Sequence, residues 1–291
     1  MNLQSAINYG LFVQFVANAW NTGSNQNNLN GKHVTNTDNT PIIAGLNYTV
    51  IQTLYSNDLS TDIDPTAAGN KCKVTMGILA QNDANANDVV LAIRGTLDIW
   101  EWVQDAKFLL RDFPRVTGSG LTEDGFTDMY LSFSMDPAVD HGDAGATFYS
   151  ELIGLIPPTA QVTVVGHSLG SALATLMALD LAANSKLPIT LYTLASPRVG
   201  DLTFSHVFNN AVPNAYRVAN RLDIVPKVPP PLMYFHVGDE TELIPPKSLK
   251  FDLGCEHHLT SYFNMLNTLQ NPNQTQYPIQ PDCLATPSSS T

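Results

Sequence analysis

The chain has 291 residues, of which 44% are hydrophobic, and its 26 acidic and 14 basic residues give a formal net charge of -12 at pH 7. This length and apolar fraction are sufficient for one sizeable α/β domain with a substantial core. The negative charge argues against a nucleic-acid partner and against electrostatic capture by an anionic membrane, so any contact with a lipid surface has to be apolar.

The N-terminal segment predicts a helix that packs on the body of the protein. Ala6, Tyr9, Phe12, Val13 and Val16 recur at helical spacing, and no basic region precedes them. We therefore expect a helix of the mature fold and not a signal peptide, so that secretion would require a leader that has been removed. No apolar run of the chain approaches the roughly 18 residues of a membrane span, and we expect no transmembrane segment.

The middle of the chain alternates between β-branched runs and helical stretches. Residues 21–40 are rich in asparagine and threonine, which predicts a loop. Strands with intervening helices favour a mostly parallel sheet. Strands are predicted over residues 48–54, 72–80, 89–94, 161–165, 189–195, 215–219 and 233–238, and a helix over residues 144–156.

Residues 162–171 contain the most informative motif of the chain. A β-branched run leads into Gly166-x-Ser168-x-Gly170, and an Ala- and Leu-rich helical stretch follows. A serine exposed on a sharp strand-to-helix turn needs glycines on both sides so that the backbone can pack closely. The pentapeptide alone would arise by chance with a probability of about 0.07, so the strand and helix around it matter. Ser168 is the candidate nucleophile.

A serine nucleophile needs a histidine base and a buried carboxylate, here expected downstream in the order Ser, Asp, His. Asp223 lies just past the predicted strand 215–219 and before a proline-rich loop that cannot continue a sheet. Strand ends are where such sheets position catalytic groups, although an aspartate there also forms turns. Asp201 is the weaker candidate, because its position indicates a helix N-cap.

Two adjacent histidines, His257 and His258, are the candidate bases. They precede a predicted C-terminal amphipathic helix, whose first turn can bring a histidine over the sheet edge towards Ser168. His236 lies inside the predicted strand 233–238, and we interpret it as a packed or surface residue. His167 adjoins the nucleophile on a tight turn, where neighbouring side chains point apart, and is assigned to packing.

These residues together resemble the class 3 lipases, the fungal-type triacylglycerol lipase family. The family's landmarks occur in order over most of the chain, and the resemblance implies an α/β-hydrolase fold with a mostly parallel central sheet and a helical lid. It also implies Ser168 as nucleophile, Asp223 as acid and a C-terminal histidine as base. The landmarks are Gly166-His-Ser-Leu-Gly170, Ser196-Pro-Arg-Val-Gly200, Asp223-Ile-Val-Pro226 and Tyr234-Phe-His-Val-Gly238.

The resemblance also bears on the base and on the oxyanion hole. Some family members have His-x-Leu-x-x-Tyr around the base, which fits His257 with Tyr262 and favours it over His258. By the same resemblance, Thr96 of Arg-Gly-Thr and Leu169 would supply the backbone N–H groups of the oxyanion hole. A tetrahedral oxyanion needs such preorganised donors.

The segment after Thr96 is the candidate lid. Four large apolar side chains, those of Ile99, Trp100, Trp102 and Val103, stand among acidic residues, and the pattern is that of an amphipathic helix. Such a helix can cover an apolar cleft or turn towards an oil–water interface. An ordinary helix packed on the core has the same pattern, so only the position beside Thr96 favours a lid.

We therefore expect a serine carboxylic-ester hydrolase for lipid esters, with triacylglycerol as the first candidate substrate and neither metal nor organic cofactor. The alternatives are an esterase for soluble short-chain or aryl esters and a catalytically silent lipid-binding relative. A single hydrolase domain is expected over residues 1–270, with a weakly ordered tail over 271–291. The sequence is compatible both with a disulfide between Cys255 and Cys283 and with free thiols at these positions.

Overall fold

The computed structural model describes residues 1–22, 26–57, 73–96, 108–138, 142, 145–272 and 277–285. The strands in these ranges are β1 (Tyr48–Ser56), β2 (Val74–Asn82), β3 (Asn85–Ile93), β4 (Leu110–Asp112), β5 (Leu121–Glu123), β6 (Gln161–His167), β7 (Ile189–Leu194), β8 (Asn214–Asn220) and β9 (Asp239–Leu243). The α-helices are α1 (Leu3–Thr22), α2 (Asp124–Leu131), α3 (Ala146–Leu155), α4 (Leu169–Asn184), α5 (Leu202–Ala211), α6 (Leu253–His257) and α7 (Leu259–Gln270).

A central sheet organises these elements. Within the described ranges it has seven strands in the order β1-β2-β3-β6-β7-β8-β9. The pairs β1–β2 and β2–β3 are antiparallel, whereas β3, β6, β7, β8 and β9 all run parallel. The predicted α/β class with a mostly parallel sheet is confirmed. Because the five parallel strands end at the same edge, the loops that follow them meet there.

Both faces of the sheet are covered, which explains the unbroken apolar runs in its strands. Side chains alternate between two cores, since Leu91 and Ile93 of β3 belong to one and Val90 and Ala92 to the other. The first core contains α4, which is buried along almost its whole length, together with parts of α2, α3 and α5. The second contains α1 and α7. In the described part of the chain, no helix is long and apolar enough to cross a bilayer.

The strand predicted over residues 233–238 is wrong. Phe235 makes a single isolated bridge with Gly200, and the next strand begins only at Asp239. The alternating sequence pattern reflects side-chain packing and not the hydrogen bonds of a β-sheet. The side chain of His236, for example, contacts the carbonyl oxygen of Pro226 at 2.8 Å. The carbonyl of His236 in turn accepts a hydrogen bond from the Ser205 hydroxyl at 2.8 Å.

The C-terminal segment is attached to the body where the structure describes it. Cys283 forms a disulfide with Cys255, the middle residue of α6, and the two Cα atoms are 5.2 Å apart. The ring of Tyr277 lies 5.2 Å from that of Phe263 on α7. Residues 277–285, part of the segment predicted to be weakly ordered, therefore pack against the two helices that follow the sheet.

A buried ion pair that the sequence patterns did not reveal anchors α4. Asp180 is fully buried and accepts hydrogen bonds from Arg115 at 2.8 Å, from Tyr130 at 2.7 Å and from Asn184 at 2.7 Å. Burial and the adjacent Asp180 charge raise the pKa of Tyr130 well above its usual range, so its hydroxyl remains a donor. These partners compensate the cost of desolvating the carboxylate.

We expect Asp180→Ala to lower the free energy of unfolding by about 3 kcal/mol, because it leaves the partly buried Arg115 without its main counter-charge and Tyr130 without its acceptor. Asp128→Ala is the matched control, since its exposed pair with Arg111 should contribute less than about 1 kcal/mol. Urea denaturation of both variants measures the difference. Equal losses would contradict the role assigned to the buried pair.

Candidate active site

Ser168 occupies the turn between β6 and α4 in a conformation that few residues other than glycine adopt. Its φ is 58° and its ψ is −130°, as expected for a strained strand-to-helix turn. The neighbouring glycines are sterically required. A Cβ on Gly166 would lie 2.2 Å from the carbonyl oxygen of Gly170, and one on Gly170 would lie 2.3 Å from that of Arg94. The backbone N–H of Ser168 donates to Leu194 at 2.9 Å, which ties the turn to β7.

Three side chains that are far apart in sequence form one hydrogen-bonded line. The Oγ of Ser168 lies 2.7 Å from Nε2 of His257, and Nδ1 of His257 lies 2.8 Å from Oδ2 of Asp223. Since the carboxylate accepts, Nδ1 carries the proton and Nε2 is left to accept from the serine hydroxyl. Ser168, His257 and Asp223 are 1%, 7% and 1% exposed, so the line lies in a largely water-excluded site.

Asp223 is held by groups that the motif search did not identify. Its Oδ1 accepts from the backbone N–H of Val225 at 2.9 Å, and its Oδ2 accepts from the hydroxyl of Tyr262 at 2.7 Å. Burial and the Asp223 charge raise the pKa of Tyr262 well above its usual range, so the hydroxyl stays protonated. The same hydroxyl accepts from the N–H of Asn220 at 3.0 Å, which links the end of β8 to α7. The spacing from His257 to Tyr262 was the only sequence signal for it.

The backbone on either side of the histidine is fixed as well. His257 is the last residue of α6, and its carbonyl oxygen accepts from Nε2 of His167 at 2.9 Å. Burial and the neighbouring His257 lower the pKa of His167 well below its usual range, so it stays neutral. The carbonyl of Glu256 accepts from the side-chain amide of Asn220 at 2.8 Å. His167 thus positions the backbone at His257. Among the hydrogen bonds of the described residues, none joins His167 to the hydroxyl of Ser168.

His258 has a different place. Its Nδ1 accepts from the N–H of Thr260 at 3.3 Å and contacts the Thr260 hydroxyl at 2.9 Å, so the side chain caps α7. His257, not His258, contacts Ser168. Asp201 likewise caps a helix, because its Oδ1 accepts from the N–H of Phe204 at 2.7 Å at the start of α5. The predicted N-cap at Asp201 is confirmed.

The two predicted oxyanion residues lie on the backbone segments that flank Ser168. Leu169 is the first residue of α4, where backbone N–H groups have no acceptor within the helix. Thr96 follows Gly95 at the end of β3, and a Cβ on Gly95 would lie 3.0 Å from the Cβ of Ser168. Thr96 and His257 both line one cavity. The predicted lid residues, Ile99, Trp100, Trp102 and Val103, lie outside the described residues.

Comparison with known proteins relates part of the chain to a family. Residues 90–233 match the sequence profile of the family described as lipase (class 3), a stretch that includes Ser168 and Asp223 and ends before His257. Over these 144 residues, just under half of the chain, the sequence is similar to the class 3 lipases. The resemblance found in the sequence motifs is thereby confirmed.

Curated relatives of the chain include plant phospholipases A1. It is 34% identical over 179 residues to phospholipase A1-II 3 of Oryza sativa subsp. indica, a match that covers 54% of this chain and 42% of that protein. It is 30% identical over 210 residues to phospholipase A1-IIgamma of Arabidopsis thaliana, covering 64% of this chain and 50% of the relative. The chain thus spans about half the length of these relatives.

Solved structures of fungal lipases share the fold. One fungal lipase is 25% identical with a TM-score of 0.61, and the alignment covers 86% of this chain and 83% of the other. The triacylglyceride lipase of Rhizomucor miehei is 24% identical with a TM-score of 0.58, covering 82% of this chain and 79% of that one. The chain therefore has the α/β-hydrolase fold.

The strain at the nucleophile turn can be measured without catalysis. We expect Ser168→Gly to be more stable than Ser168→Ala by about 1 kcal/mol, because only glycine adopts this φ without a steric penalty. Ser171, inside α4, is the matched control, and there the alanine variant should be the more stable by about 1 kcal/mol. Thermal or urea unfolding of the four variants reports both differences, and the same sign at both positions would contradict the strain.

Proposed function

We propose that the chain is a serine carboxylic-ester hydrolase that acts on lipid esters. The observation that carries the proposal is the unbroken hydrogen-bonded line from Ser168 through His257 to Asp223, built on a strained strand-to-helix turn. Nucleophile, base and orienting carboxylate in that order are what a serine needs to attack an ester at neutral pH.

In the proposed reaction, Oγ of Ser168 attacks the ester carbonyl while Nε2 of His257 takes its proton. Asp223 stabilises the resulting imidazolium, and the two donors on its oxygens hold the carboxylate in place. His257 then gives the proton to the departing alcohol. Water, activated by the same Nε2, hydrolyses the acyl-enzyme and restores the serine hydroxyl.

The oxyanion formed in each attack needs donors already in place. We assign this role to the backbone N–H groups of Leu169 and Thr96, which flank Ser168 on the two sides of the turn. The N–H of Leu169 belongs to the first turn of α4, whose N–H groups point out of the helix N-terminus, where the helix dipole also favours negative charge. The lid, comprising Ile99, Trp100, Trp102 and Val103, remains part of the proposal as the cover of the site at an oil–water interface.

Two lipid substrates are candidates. The first is triacylglycerol, as the motifs of the fungal-type family imply. The second is the ester of a phospholipid, which is favoured by the phospholipase A1 relatives. Soluble short-chain or aryl esters are the alternative within the same chemistry. A silent lipid-binding protein would need neither the strained turn nor the aligned histidine.

Replacing the two histidines separately tests the assignment of the base. We expect His257→Ala to lower kcat by about 10,000-fold, because the serine then loses its general base. His258→Ala should keep kcat within about threefold, since its side chain caps α7. Hydrolysis of a soluble nitrophenyl ester measures both, and loss of activity in His258→Ala alone would reverse the assignment.

A fluorophosphonate probe tests whether the site reacts at all. We expect stoichiometric labelling of Ser168, detected by peptide mass spectrometry, and no labelling of Ser168→Ala or of the urea-unfolded protein. The reaction needs a serine hydroxyl whose proton a general base takes during the attack, and only the folded triad supplies that base. An unlabelled folded protein would favour the silent lipid-binding alternative.

A substrate panel separates the candidate esters. With one acyl chain length, rates are compared on triacylglycerol emulsion, phosphatidylcholine mixed micelles and a nitrophenyl ester below and above its solubility limit. We expect at least a tenfold higher specific rate on a lipid aggregate than on the dissolved nitrophenyl ester. A rate confined to dissolved short esters would replace the lipid proposal with the soluble esterase.

A further inference from the structure

A cavity of about 290 Å³ adjoins the candidate base on the side of the sheet that α1 covers. His257 and Thr96 form its inner wall, and Gln14 and Asn18 of α1 form part of its outer wall. The volume is at the lower end of the range for ligand pockets, about 300–1,000 Å³. It therefore accommodates one part of a lipid ester and not the whole molecule.

The place where the cavity meets the site indicates which part of the ester enters it. In the proposed reaction, the acyl carbon becomes bonded to Oγ of Ser168, while the alcohol oxygen has to receive a proton from Nε2 of His257. The departing alcohol consequently lies on the histidine side of the serine. His257 lines the cavity, whereas Ser168 is not among its lining residues.

One face of α1 presents neutral hydrogen-bonding groups to this cavity. Gln14, Asn18 and Asn21 are four and seven residues apart, so they lie on the same side of the helix, and all three line the cavity. Each carboxamide offers two donors and one acceptor oxygen. Val13 and Ala17 on the same helix supply apolar wall between them.

The charge of the cavity differs from that of the chain. None of the described residues that line it is acidic, although the whole sequence has 26 acidic and 14 basic residues. Arg94 contributes a permanent positive charge, with its guanidinium carbon 4.0 Å from the centroid of the Trp20 ring. Among the described residues of the lining, oxygen-rich alcohols, including those that bear a phosphate, therefore meet no negative charge.

We propose that this cavity binds the alcohol part of the ester and that Gln14 and Asn18 determine specificity by hydrogen bonding to hydroxyl or phosphate oxygens of that alcohol. The inference rests on the proposed function, because the role of His257 orients the substrate. It adds a substrate class, namely glycerolipids with a polar alcohol part, and assigns its recognition to a helix outside the catalytic loops.

Kinetics on three decanoyl esters test the proposal. The esters are didecanoyl phosphatidylcholine, monodecanoylglycerol and nitrophenyl decanoate, all in the same detergent micelles. Their alcohol parts bear a phosphate, free hydroxyls and neither group, respectively. In Gln14→Leu and Asn18→Leu, we expect kcat/KM for the first two, relative to the nitrophenyl ester, to fall about tenfold each, as for one lost hydrogen bond. Gln14→Glu keeps the size of the side chain and adds a negative charge, so it should penalise phosphatidylcholine more than monodecanoylglycerol.

Gln4→Leu is the matched control on the same helix. Gln4 is exposed, its side chain donates to Asn8 at 2.8 Å, and it is not among the described residues that line the cavity, so both ratios should stay at their wild-type values. A fall in the ratio for phosphatidylcholine only would assign the cavity to phosphate oxygens, and a fall for monodecanoylglycerol only would assign it to hydroxyl oxygens. Wild-type ratios in Gln14→Leu, Asn18→Leu and their double variant would overturn the proposal.

A binding measurement separates this proposal from the proposed function. Glycerophosphocholine, the alcohol part without acyl chains, is titrated into Ser168→Ala by calorimetry, which requires no turnover. We expect binding that weakens about tenfold when Gln14→Leu is added. If the wild-type protein hydrolysed none of the esters, such binding would refute the hydrolase and retain the cavity, whereas binding unchanged by Gln14→Leu would refute the cavity alone.

Discussion

The close backbone packing around the turn from β6 to α4 is the constraint on which the rest of the site depends. Gly170 lies so near the carbonyl oxygens at the end of β3 that any side chain would overlap them. This contact fixes the distance between Thr96 and the first turn of α4. It also holds Ser168 at a positive φ, a strain that persists because α4 is buried and the Ser168 N–H is bonded to β7. The nucleophile is thus rigid because it stands at the centre of the sheet.

The proposed base, in contrast, is carried by a short segment that other parts of the chain hold in place. The helix α6 has five residues, too few to be stable alone, and His257 is its last. A disulfide to Cys283, the amide of Asn220 and the ring of His167 restrain it from three directions. The hydroxyl of Tyr262 then couples Asp223 to α7. The geometry of the base depends on tertiary contacts more than on local helix propensity.

The two faces of the sheet contribute differently to this site. On the α4 face, a fully buried carboxylate, Asp180, is satisfied by four donor atoms from three residues, and the helix that starts at the nucleophile is fixed there. On the α1 face, a cavity reaches from His257 to a row of carboxamides. One face supports the reacting serine, and the other leaves room beside the base. A rigid nucleophile with space next to the proton donor is what an ester hydrolase with a sizeable leaving alcohol requires.

The sequence by itself determined the strands of the sheet centre, the helix after Ser168, the nucleophile candidate and the order Ser, Asp, His, because hydrophobic period and glycine spacing act locally. The sequence did not predict β9, because its Asp-Glu-Thr-Glu-Leu run forms a strand only by pairing with β8. It also predicted a strand over 233–238, where the alternation of side chains comes from packing and not from strand pairing. The family resemblance favoured His257 over its neighbour His258, and the tertiary structure gives the physical reason, since one ends α6 towards Ser168 and the other caps α7. The contact of Tyr262 with Asp223 and the place of Gln14 at the cavity beside His257 are visible only in the tertiary structure. Contacts between distant segments depend on how the helices pack on the sheet, and they produce no periodic pattern in the sequence.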